Sequence, residues 1–272
     1  MSLGTTLKRV RKQQGRSQKD VATGICAQSM LSAIENDRYT PNAKLLVALC
    51  RRLAISLDEI SLATDFAISG DDDLNTRMQA LCNQHRYREL QDFLSAPETV
   101  AAVTTAQQTQ AYYYYLGVAQ LHVESKLDAA EQNLRFAMTM TEQRTPTSLT
   151  CLAMASLATV QAKHGRRHNA TQLIDQALAA IETLPYEENN NIIFYLAALT
   201  AYFLKDVPLA TQRLLTGIAY ITTHDSHYML ANSYRLLAEI ADRAGRENDA
   251  AEAHQKQRFL TDLFHEQVPK DF

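Results

Sequence analysis

The chain has no tryptophan and, in 272 residues, only eight glycines, six prolines and four cysteines. Cys26, Cys50, Cys82 and Cys151 lie far apart with no Cys-x-x-Cys pair. That excludes a disulfide framework and a cysteine zinc site, and it fits reduced thiols of a cytosolic protein. The scattered glycines supply no phosphate-cradling loop, and no serine or cysteine stands in a nucleophile signature. An enzyme is therefore not expected, nor a cofactor or metal. The longest largely apolar run, residues 192–204, has 13 residues, short of the ~20 that cross a bilayer; a buried helix is the better reading. The N-terminus is polar and basic, without the apolar segment of a signal peptide. The expected location is cytoplasmic, with no membrane partner. His164-x3-His168 and His224-x2-His227 have a helical metal spacing but no nearby cysteine or acidic partner at ligand spacing in the sequence, and read as exposed loop histidines.

What charge there is has an uneven distribution. The net charge is −3, yet residues 1–66 hold ten Lys/Arg against six Asp/Glu, and the rest hold 17 against 24. A head of +4 on a body of −7 suits a head that meets phosphate and a body that does not.

Within the head, residues 17–44 read as a helix, a tight turn, a second helix and a polar loop. Ser17 can cap the first helix, with Asp20 three residues on at its positive end. Val21, Ala22 and Ile25 form the inward stripe of the first helix, and Leu31 and Ile34 that of the second. Gln28, Ser29, Met30 and Ala33 then face outward, with Ser32 on the flank; short polar groups in the first turn of an exposed helix suit base edges in a major groove. Before the motif, Leu7 to Lys12 forms a basic amphipathic helix ending near Gly15. After it, Leu45, Leu46, Leu49, Leu53, Leu57 and Ile60 continue a helical core. Base-edge contact is expected from Gln28, Ser29 and Ala33, and phosphate contact from Ser17, Gln18, Arg38, Tyr39 and Lys44.

Residues 3–63 resemble the lambda-repressor-type (XRE) helix-turn-helix domain, on Gln18, Ala22, Ile34-Glu35 and Pro41. Two departures stand out. Cys26 occupies the place of the usual turn glycine in a turn one residue shorter than the common version, and Asp37 stands where a glycine often follows Glu35.

The body repeats. Ala130, Ala170, Ala210 and Ala250 are each 40 residues apart; Ala158, Ala198 and Ala238 form a second column, and Ala137, Ala177 and Gly217 a third. Gly165 and Gly245 fall in turns. Each unit is thus helix A, a short turn and helix B, with small residues where helices approach closely. Another step back reaches Leu90, so a fifth unit begins near Leu74. Pro97, Pro146, Pro185 and Pro208 fall at helix boundaries, and the Asp71–Asp73 run reads as linker and helix N-terminus. The pattern looks like tetratricopeptide repeats, with a period longer than the usual ~34 residues. Such a stack has a concave face suited to an extended peptide. Counting back from the helix B alanines places Tyr112, Tyr115, Thr159, Lys163, Tyr195, Tyr202, Asn232, Arg235 and Glu239 toward that groove.

The head and body together resemble the peptide-responsive quorum-sensing regulators of Gram-positive bacteria, the Rap, Rgg, NprR, PlcR and PrgX group, and PlcR-type members in particular. The segments that carry this are residues 24–29, 34–36, 39–42 and 81–90. The resemblance implies a cytosolic homodimer that binds operator DNA and a short imported signalling peptide. The expected protein is all-α, with a helix-turn-helix domain at 1–66, a linker at 67–73 and about five helix pairs at 74–272 that sense peptide and dimerise. The alternative is a repeat scaffold that regulates a partner protein, with little DNA role.

Overall fold

The structure, a computed structural model, describes residues 3–36, 38–39, 41–55, 66–123, 126–140, 146–184, 186–269 and 272. Asp37, Leu57, Ile60 and Pro185, named above, lie outside these. Among the described residues there are fifteen α-helices, one short 3-10 helix and no strand. The chain divides into two compact units, Met1–Phe66 and Ala67–Phe272.

The first unit holds α1 (Leu3–Gln13), α2 (Gln18–Ala22), α3 (Gln28–Glu35) and α4 (Ala43–Leu53). The Ser17 hydroxyl accepts from the Asp20 amide at 3.1 Å, and the Asp20 carboxylate accepts from the Ser17 amide at 2.9 Å. This reciprocal box satisfies two amides that the start of α2 leaves unpaired. Asn42 caps α4 with a single bond, its side chain accepting from the Leu45 amide at 2.9 Å. Leu7, Val21, Ala22, Leu31, Ile34, Leu49 and Leu53 form one buried cluster that all four helices share. The turn between α2 and α3 does contain a conformational glycine, but it is Gly24, at φ 75°. Cys26 instead packs, partly buried, against the cluster.

The second unit is a stack of helix pairs: α5 (Asp72–Asn83) with α6 (Tyr87–Ser95), α8 (Ala106–Leu121) with α9 (Leu127–Thr139), α10 (Ser148–Lys163) with α11 (Arg167–Ile181), α12 (Asn191–Phe203) with α13 (Val207–Thr223), and α14 (Leu230–Arg243) with α15 (Glu247–Phe264). The short α7 (Pro97–Ala101) follows α6. Four of the within-pair turns share one geometry. A left-handed residue, His85, Gly165, Lys205 or Gly245, ends helix A. The next amide then donates back five residues, from Arg86 to Leu81, Arg166 to Gln161, Asp206 to Ala201 and Arg246 to Ala241, at 2.9–3.0 Å. These bonds satisfy the last carbonyls of helix A, and glycine suits the left-handed position best because it has no Cβ to clash.

The small-residue column packs the pairs. Leu90, Ala130, Ala170 and Ala210 have no exposed surface and Ala250 has 3%. A Cβ on Gly217 in α13 would stand 2.9 Å from the Phe194 Cβ of α12, so the two helices approach too closely there for a larger residue. The apolar run 192–204 is the buried α12. Residues 67–73 are not a free linker. Ile68 is fully buried, its amide donates to the Asn75 side chain at 2.9 Å, and the Asn75 amide group returns to the Ser69 carbonyl at 3.0 Å. Asp71 caps α5, which already starts at Asp72.

Candidate functional site

Two features stand out, one in each unit. In the first, α3 presents Gln28, Ser29 and Met30 exposed and Ala33 partly so. Leu31, Ile34 and Glu35 are buried on the opposite side. Arg38, Tyr39 and Lys44 are exposed beyond its C-terminal end.

A hydrogen-bonded line runs beneath this face. The Gln28 amide donates to Gln18 Oε1 at 2.6 Å, and the Gln18 amide donates to Glu35 Oε2 at 2.8 Å. Glu35 in turn accepts from Arg11 Nε and Nη2 at 2.6 and 2.8 Å, a bidentate pair 8% and 3% exposed. Burial pushes the Glu35 carboxyl up, but hydrogen bonds from Arg11 and Gln18 outweigh it and hold the group below its usual range. Arg11 therefore does not belong to the basic surface that the sequence of α1 suggests; it anchors α1 to α3. Its Nη1 also donates to the Arg16 carbonyl at 2.9 Å. The Ser17 hydroxyl is engaged with Asp20 in the capping box.

In the second unit a cavity of about 820 Å³ opens among the helix A elements. That volume lies in the ~300–1,000 Å³ range of ligand pockets. Tyr114 of α8 and His122 at its C-terminal end line it, with Ser156, Thr159 and Lys163 of α10, Tyr195, Leu199 and Phe203 of α12, and Asn232 of α14. Cys82, His85 and Tyr87 close one end, and Phe264, Glu266, Gln267, Pro269 and Phe272 form a wall. Burial pushes the phenols of Tyr114, Tyr195 and Tyr228 up, so each is a protonated donor. The Asn232 residue is 4% exposed, and its Oδ1 has no hydrogen-bond partner. The wall is thus apolar and aromatic with a few convergent polar groups.

Of the nine groove residues expected from the sequence, Thr159, Lys163, Tyr195 and Asn232 line this cavity. Tyr112, Tyr115, Tyr202, Arg235 and Glu239 do not. Tyr115 is buried, and the Tyr112 hydroxyl donates to the Leu94 carbonyl at 3.1 Å. The reason is a change of register. The helix A elements α8, α10, α12 and α14 begin 42, 43 and 39 residues apart in turn, whereas the helix B elements begin 40 apart each time. An offset of even one residue turns a helix face by about 100°, so the count back from helix B misses Tyr114, which lines the cavity. Tyr202, Arg235 and Glu239 gather in a charged cluster that meets the cavity through the lining residue Phe272. Glu239 pairs with Arg235 at 3.3 Å and Arg243 at 2.7 Å and accepts from the Tyr202 hydroxyl at 3.4 Å.

Of the four histidines expected to be exposed, His168 and His224 are, whereas His164 and His227 are partly buried. His224 stacks on Tyr186 at 4.0 Å, and His164 lies 3.5 Å from Asp128. His227 lines the cavity and stacks on Phe264 at 3.6 Å. Among the described residues no group of three or more His, Cys, Asp or Glu could hold a metal. No helix among them is long and apolar enough to cross a membrane. Periodicity alone missed Tyr114, His85, Tyr87, His122 and the wall of Phe264, Glu266, Gln267, Pro269 and Phe272; the His85-Arg-Tyr87 sequence was the available signal.

Residues 7–60 match the family described as helix-turn-helix (HTH_3). The chain as a whole shares its fold with regulators of known structure. Bacillus thuringiensis PlcR in complex with the peptide PapR7 and DNA aligns at a TM-score of 0.64 with 20% identity, covering 97% of this chain and 95% of that one. The apo form of the same PlcR aligns at 0.56 with 17% identity, covering 96% and 94%. ComR from S. thermophilus, in complex with DNA and its signalling peptide ComS, aligns at 0.52 with 14% identity, covering 97% and 94%. At these identities the likeness is one of fold. No curated protein is matched.

Proposed function

We propose that this chain is a DNA-binding transcriptional regulator controlled by a short signalling peptide. The observation that carries the reading is the coexistence, in one chain, of an exposed α3 braced through Gln28, Gln18 and Glu35 with an 820 Å³ cavity walled by repeat helices. The first unit reads duplex operator DNA through base-edge contacts of Gln28, Ser29 and Ala33. Ser17, Gln18, Arg38, Tyr39 and Lys44 position it on phosphate. The second unit holds an extended peptide in its cavity through Thr159, Lys163, Tyr195 and Asn232, with Tyr114 and His85 added from the geometry. The fold shared with PlcR and ComR, whose structures hold DNA and signalling peptides, supports the same assignment.

A single recognition helix covers one half-site, so the chain acts as a homodimer on a two-fold operator. Peptide changes DNA affinity by binding one state of the dimer more tightly than another. The work of the chain is recognition, with no chemical step. The test is selection of operator sequences from a genomic library by the full-length chain, with light scattering for its mass. Salt-dependent sequence preference by a species of twice 30.5 kDa is the expected result. Binding without sequence preference, or a monomer in the presence of DNA, overturns it.

A further inference from the structure

After α15 the backbone reverses at His265, which takes a left-handed φ of 56°, and the following residues return along the cavity. Two donors from opposite ends of the repeat stack meet on one backbone carbonyl there. His85 Nε2 donates to the Gln267 oxygen at 3.0 Å, and Asn232 Nδ2 donates to the same oxygen at 3.4 Å. The carbonyl can only accept, so the His85 proton sits on Nε2 and the other nitrogen accepts from the Tyr87 hydroxyl at 2.7 Å. His227 Nδ1 contacts Glu266 Oε1 at 3.2 Å. Further on, the Phe272 ring lies 6.1 Å from Tyr202, edge to face, and 5.1 Å under the Arg235 guanidinium. The tail is thus held as a bound peptide is held, by backbone hydrogen bonds and an aromatic anchor.

We propose that the segment after α15, through residues 265–269 and Phe272, is a built-in competitor for the cavity, occupying the donors and the aromatic slot that a peptide ligand takes over. This rests on the reading of the cavity as a peptide site. The Asn232 carboxamide supports it directly. Its amide is engaged with the tail, while its buried Oδ1 has no partner and suits a backbone N–H. A ligand that presents a carbonyl and an N–H to Asn232 in register satisfies both ends, which the tail does not. The ligand class is therefore an extended peptide with a backbone amide facing Asn232 and an aromatic residue placed to replace Phe272 between Tyr202 and Arg235. A segment in the same chain has an effective concentration in the millimolar range, so it sets a threshold that only a tighter or more concentrated peptide overcomes.

The experiment uses a fluorescein-labelled synthetic peptide, Glu-Gln-Val-Pro-Lys-Asp-Phe, copying residues 266–272, and the full-length chain with and without those residues. Fluorescence anisotropy is expected to show saturable binding to the shortened chain at least ten-fold tighter than to the intact one. Asn232→Ala in the shortened chain should weaken it about ten-fold. Equal binding to both chains, binding to neither, or weaker binding after shortening overturns the proposal; the last outcome marks the tail as a lid that helps to hold ligand. Should the shortened chain not fold, Phe272→Ala in the intact chain serves instead, and unchanged probe binding there overturns it. Operator affinity is measured on the same samples. Probe binding that leaves operator affinity unchanged sustains the competitor and counts against the sensor reading.

Discussion

The Gln28 side chain donates to Gln18 Oε1 at 2.6 Å, so the first residue of the exposed helix is tied to the first residue of the helix before it. An amide held by a second amide presents a fixed pattern of donors and acceptors. Gln28→Ala should relax base preference at one operator position by about 1–3 kcal/mol. Gln18→Ala should weaken every sequence and blur that same preference, since Gln28 loses its brace. Lys44→Ala should weaken all sequences alike and lower the salt slope by about one. Anisotropy titrations on permuted operators at several salt concentrations separate the three patterns. A Gln18→Ala protein with full preference would show that the brace has no role in readout.

Acid should loosen the first unit through Glu35. Its folded pKa lies below the ordinary 4.5, so the group contributes stability that is present above pH 4.5 and lost as pH falls through its folded value. Glu35→Gln removes that dependence and leaves Arg11 buried without its carboxylate, at a cost of about 3 kcal/mol. Thermal melts between pH 7 and pH 3, native against Glu35→Gln, should show a steeper fall for the native chain. Parallel curves would assign the acid sensitivity elsewhere.

The cavity makes its own demand on peptide affinity. Asn232→Ala should cost about 1–3 kcal/mol, because a peptide group is left buried and unpaired. Tyr112→Phe should cost nothing, since its hydroxyl bonds to Leu94 and does not face the cavity. Calorimetry with synthetic peptides from short secreted reading frames beside the gene compares the two. A loss at Tyr112 equal to that at Asn232 would place the ligand outside the cavity described.

Gly217→Ala should destabilise the second unit by about 1–3 kcal/mol, through the 2.9 Å approach to the Phe194 Cβ. Urea melts measure it. Stability equal to the native chain would mean that α12 and α13 part without cost.

The all-α fold and the 40-residue spacing were legible because small residues at helix crossings recur on their own period, independent of side-chain detail. Ala130, Ala170, Ala210 and Ala250 mark the start of each helix B for that reason. The inward stripe of the first unit was legible from apolar spacing, with Val21, Leu31 and Ile34 all buried. The cavity was less so. The spacing of the helix A elements changes from unit to unit while that of the helix B alanines stays at 40, so a count back from helix B does not carry the groove face from one unit to the next. The turn of Arg11 into the core depends on a carboxylate 24 residues away, which no local pattern reveals. The tail was missed because its contacts pair residues as far apart as His85 and Gln267.

That last hydrogen bond spans 182 positions of sequence. A row of helix pairs has only nearest-neighbour coupling, so it can fray from either end while its middle persists. By joining the first pair to the segment after the last, His85 and Gln267 close the row into a loop. A closed row has no free end from which melting starts, and it loses its order in one step. With the tail withdrawn, amide exchange should run inward from the two termini, so that whatever fills the groove also decides whether the stack behaves as one body or as a line of parts.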